Sequence, residues 1–75
     1  MSMNDILFEA SMHVKVMEAY IDILQELNTA TIARPELIGM PSWQTKRDIA
    51  LEGAERHKSI AKELIATAEK MKRAK

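Results

Sequence analysis

Both prolines of the chain and one of its two glycines fall between positions 35 and 41, in the segment Arg34-Pro35-Glu36-Leu37-Ile38-Gly39-Met40-Pro41-Ser42. Proline has no amide hydrogen, clashes with the preceding turn and disfavours helical geometry at the residue before it, so no helix runs through this segment. On either side, more than thirty residues pass without another proline. The chain is thereby restricted to two long elements and one connector.

Periodicity makes both elements helices. Leu7, Ala10, Val14, Met17, Ile21 and Leu24 alternate spacings of three and four, the a/d seam of a coiled coil. Ala50, Ala54, His57, Ala61, Leu64, Ala68 and Met71 do the same. The expected architecture is all-α: helix 1 over about 4–33, a connector over 34–42 and helix 2 over about 43–73, folded as one antiparallel two-helix hairpin spanning residues 1–75. Ser2 or Asn4 is the expected cap of the first helix, with Asp5 adding negative charge to its N-terminus. Ser42 is the expected cap of the second, and Thr45 with Asp48 offers a capping box one turn later. The 47% apolar content is that of a folded chain, and the 4% aromatic content suits helix packing through Leu, Ile, Met and Ala.

The first helix is apolar over more than one face. Beside its seam lies a row of Ile6, His13, Tyr20 and Leu27, and beside that Glu9, Val16, Ile23 and Ala30. At about 100° per residue the rows subtend roughly 160°, against the 100° or so of a helix with a single covered face. The second helix has a narrower stripe with alanine at every seventh position (54, 61, 68) and a solvated back carrying Glu55, Arg56, Lys62, Glu63, Glu69 and Lys70. Helix 1 therefore needs two neighbours, and helix 2 supplies one. Two hairpins packing through their first helices would form a homodimeric four-helix bundle, with Ile6, His13, Val16, Tyr20, Ile23 and Leu27 as the interface.

The charges divide along the chain. Residues 1–33 hold five acids against Lys15 alone, net −4; residues 34–75 hold ten basic residues against six acids, net +4. Consecutive helices of opposite charge favour lying side by side, although each exposed pair contributes only about 0–1 kcal/mol. Glu52 with Arg56 and Glu69 with Arg73 are spaced for i,i+4 ion pairs within helix 2.

Chemistry is sparse. The sequence has no cysteine, which excludes disulfides and thiolate metal ligands, no glycine-rich phosphate loop and no nucleophile–histidine pattern, so no catalytic residue, metal or cofactor is assigned and an enzyme is not expected. His13 and His57 are the residues most able to form a site. A hairpin turning near residue 37 sets His13 opposite Ala61 and His57 opposite Met17, with the imidazoles about one turn apart and Glu9 one turn before His13 on the same face. A Glu-His-His cluster lacks the Glu-x-x-His spacing of di-iron bundles; two half-buried histidines that make assembly sensitive to pH fit better. The connector sets Leu37, Ile38, Met40 and Trp43 within seven residues, either to plug the bundle end or to meet a partner.

The functional expectation is a small homodimeric interaction module that binds and regulates another protein, an adaptor or inhibitor. The rival is a nucleic-acid-binding hairpin dimer using Lys70, Lys72, Arg73 and Lys75. Acids interrupt that basic ridge, the pI is about 6.7, and cations at a helix C-terminus already favour the dipole. A membrane partner is not expected, because the helix with the broad apolar face is the acidic one. With no apolar span and no basic leader, the expected location is cytoplasmic.

Overall fold

Ser2 opens the first helix by a reciprocal cap. Its hydroxyl oxygen accepts from the Asp5 amide at 3.2 Å, while the Asp5 carboxylate accepts from the Ser2 amide at 3.3 Å and from the Ser2 hydroxyl at 2.9 Å. Two otherwise free donors at the helix N-terminus are satisfied this way. The computed structural model describes residues 2–74: helix α1 (Met3–Ala33), a 3-10 turn (Pro35–Gly39) and helix α2 (Pro41–Arg73), the two long helices running antiparallel in a rod of 57 × 16 × 15 Å. Among the described residues there is no strand.

The connector is tighter than expected. Only Arg34 and Met40 stand between helical segments, with Leu37 N–H donating to the Arg34 carbonyl at 3.1 Å and Met40 N–H to the Leu37 carbonyl at 3.0 Å. Ser42 does not cap the second helix. Pro41 already occupies the first turn of α2, where its fixed φ suits the helix and its missing N–H would have found no intrahelical acceptor, and Met40 takes the cap position without a side-chain bond. The Gln44 side-chain amide donates to the Ile38 carbonyl at 2.9 Å and ties the turn to α2.

The seam of α2 runs where the sequence sets it. Ala50, Ala54, Ala61 and Ala68 are buried, and His57, Leu64 and Met71 are half-buried between them. The seam of α1 is wider than one a/d row: Ala10, Val14, Met17, Ile21 and Leu24 of the expected seam are buried or half-buried, and the Ile6 row joins them. Ile6, Ala10 and Leu27 are buried and His13, Met17, Tyr20 and Leu24 are half-buried, while Leu7, expected inside, is 42% exposed. The row Ile6, His13, Tyr20, Leu27 thus faces α2 and is not available to a second chain.

Gly53 gives the physical reason. It is buried on α2, and a Cβ built on it would lie 2.6 Å from the Tyr20 ring. The ring occupies the space that a side chain would take, and that fixes which row of α1 turns inward. Gly53→Ala gains about 1 kcal/mol of helix propensity but forces the ring out of a seam where overpacking costs about 1–3 kcal/mol. We expect a net loss in the presence of Tyr20 and a gain in a Tyr20→Ala background, measured by urea denaturation of the four chains of the cycle. Equal effects in both backgrounds would separate Gly53 from Tyr20.

Candidate functional site

The half-buried ring at position 20 belongs to a polar cluster at the middle of the rod. The Nδ1 atoms of His13 and His57 are 2.7 Å apart, their ring centres 5.0 Å apart and their planes inclined by 28°. The centre-to-centre distance is close to the nitrogen–nitrogen distance plus the span from each ring centre to its own nitrogen. Each nitrogen therefore points at the other along the line joining the rings, as in a hydrogen bond in which one imidazole donates and its neutral partner accepts. His57 also lies beside Tyr20, with centres 6.1 Å apart and planes 19° from parallel. The histidines are closer than the one turn expected.

The head-on approach bears on metal chemistry. Two nitrogens aimed at each other cannot both aim at a third atom without turning the rings, and Glu9 is exposed. Among the described residues no group of three or more His, Asp or Glu side chains is placed to hold a metal ion.

The remaining sequence candidates separate by position. Ile6 and Leu27 are buried in the hairpin seam, which His13 and Tyr20 share. Val16 is 37% exposed, and Ile23 is half-buried. In the connector, Leu37 and Trp43 are half-buried whereas Ile38 and Met40 are exposed. The Trp43 indole N–H is buried without an acceptor, and such a donor costs about 1–3 kcal/mol. Trp43 is half-buried at the start of α2, at the connector end of the hairpin, and Ile38 and Met40 are exposed beside it. At the other end, Glu69 and Arg73 are paired at 3.5 Å and Lys70 and Lys72 are exposed, while Lys75 lies outside the described residues.

With the Ile6 row turned toward α2, the exposed and half-buried apolar surface forms two flanks. On the first, Leu7 and Val14 of α1 and Ile65 of α2 border an open groove of about 410 Å³, rimmed by Lys15 and Glu18. Ile21 continues the α1 bank at heptad spacing, and Leu51 the α2 bank. On the opposite flank are Val16 and Ile23 of α1 and Ile49 of α2, the last 59% exposed beside the Glu52–Arg56 ion pair of 3.2 Å. Val16 and Ile23 lie outside the hairpin seam as the sequence leads one to expect, whereas the exposure of Leu7, Leu51 and Ile65 is not apparent from it. The exposed Leu51 and Ile65, two heptads apart beside an alanine seam, were the available signal.

No family model covers the chain, and neither a curated protein nor a solved structure is similar to it. Functional reasoning therefore starts from the two flanks. Among the described residues no helix is long and apolar enough to cross a membrane.

Proposed function

We propose that this chain is a homodimeric helical interaction module, paired as a four-helix bundle, that binds and regulates another protein. The observation that supports it is the surface left open. The chain exposes 5750 Å², whereas a compact folded protein of this mass exposes about 4,650 Å². A second copy that removed the excess of about 1,100 Å² from each chain would bury about 2,200 Å² in total, the size of an obligate homodimer interface. Because a twofold pairing of hairpins covers one flank of each, the other remains for a target.

Sedimentation equilibrium at tens of micromolar tests the first half of the reading: twice the chain mass of 8.5 kDa is expected, and the chain mass itself would refute it. Affinity capture from the native cell tests the second half. Val16→Glu or Ile49→Glu should weaken capture at least tenfold, since each sets an unpaired carboxylate where the target would desolvate it, and should leave the dimer mass unchanged. Ala substitution of Lys70, Lys72 and Arg73 should leave capture unaltered at every salt concentration. A steep salt dependence lost with those cations would transfer the function to nucleic acid.

A further inference from the structure

We propose that the groove between Leu7, Val14 and Ile65 is filled by a second copy of this chain whose α2 lies against α1, so that every neighbour in the bundle is a helix of opposite charge. The proposal rests on the homodimeric reading above and decides between the two ways of building such a dimer. In one, like helices are neighbours and the twofold axis crosses them. In the other, unlike helices are neighbours and the axis runs along the bundle.

Charge separates the two. Residues 1–33, essentially α1, are net −4, and residues 34–75 are net +4. Like-with-like packing sets acid against acid along one seam and base against base along the next. Unlike packing places equal charges on the diagonal, where they are farthest apart, and alternates attraction around all four sides.

The flank residues point the same way. Along α2 the bank of the groove reads Leu51, Lys58, Ile65, each seven residues from the next, and along α1 it reads Leu7, Val14, Ile21. If like helices met, the axis would pass near the middle of the α2 bank and bring Lys58 against Lys58 of the second copy, between two apolar pairs. When unlike helices meet antiparallel, Leu7 faces Ile65, Ile21 faces Leu51, and Lys58 falls on Val14. There its aliphatic stem covers the valine and its ammonium reaches the Glu18 rim of the groove. This register is close to the one already used inside the hairpin, where His13 meets His57 and Tyr20 meets Gly53. The second flank is the poorer choice for the copy, because the Glu52–Arg56 pair stands over it.

The absence of cysteine from the sequence makes the test direct. Val14→Cys and Lys58→Cys chains, one carrying a mass tag, are mixed, allowed to exchange subunits and treated with a short bis-maleimide. The expected product is a tagged–untagged adduct joining position 14 to position 58, with no 58-to-58 adduct in either chain alone. Adducts of 14 with 14 and of 58 with 58, without the mixed one, would overturn the arrangement while leaving the dimer intact. A dimer mass with none of these adducts would likewise overturn it, moving the copy to another face. A chain that sediments as a monomer would remove the arrangement and the homodimeric reading together, leaving the groove to a foreign protein. Circular dichroism of both variants confirms that the hairpin is folded before cross-linking.

Discussion

Ala61→Leu is expected to unfold the chain at physiological temperature. Ala61 is 4% exposed and sits in a seam whose buried α2 positions are alanine or glycine, so the two helices are held at the separation that a methyl group allows. An isobutyl group at that position cannot point elsewhere, because helical side chains project over a fixed patch of the neighbouring surface. Among the described residues no large side chain is fully buried that could yield room. Overpacking in a seam costs about 1–3 kcal/mol locally, and here the strain spreads, because parting the helices at Ala61 loosens the contacts of Ala54 and Ala68 one heptad away. A core this small supplies only about 3–5 kcal/mol, so the loss is comparable with the total. Thermal melting followed by circular dichroism should show the transition abolished or lowered by more than 20 °C, at about 4–8 °C per kcal/mol. Ala66→Leu on the exposed back of the same helix is the control, and its melting temperature should scarcely move. Equal behaviour of the two variants would mean that the helices are not held close by the alanines.

The contrast between the two seams explains what the sequence disclosed and what it withheld. On α2, small residues at heptad spacing stand beside an almost wholly charged back, and only one row could face inward. On α1, three apolar rows lie side by side, and propensity and hydropathy do not rank them. Leu7, Val14 and Ile21 look the most buried because they are purely aliphatic, while His13 and Tyr20 carry polar groups that suggest the outside. Tertiary fit brings the polar row in beside them, while Leu7 is left exposed: a tyrosine ring finds space over Gly53, and each histidine finds its hydrogen-bond partner in the other. An interior helix glycine costs about 1 kcal/mol against alanine and so asks for a close neighbour. That glycine was the one local sign of which row turns in. At the second helix start, Ser42 is the better cap by residue preference, yet Pro41 before it is better at the first helical position, and the proline prevails. The excess apolar surface was legible from the width of the α1 face. Its location was not, because that depends on the partner row.

The histidine pair should stand or fall as a unit. With Nδ1 facing Nδ1 at 2.7 Å, one ring donates and the other presents its lone pair, and both rings are half-buried in the seam. Removing either ring strands the facing nitrogen of the other without its partner and leaves a gap in the seam, at a cost of about 1–3 kcal/mol. His13→Ala and His57→Ala should each lower the urea denaturation midpoint by a corresponding amount. The double variant should lose less than the sum of the two, because the second substitution removes the group that the first left unpaired. Strictly additive losses would show that the head-on contact contributes nothing to holding the helices together.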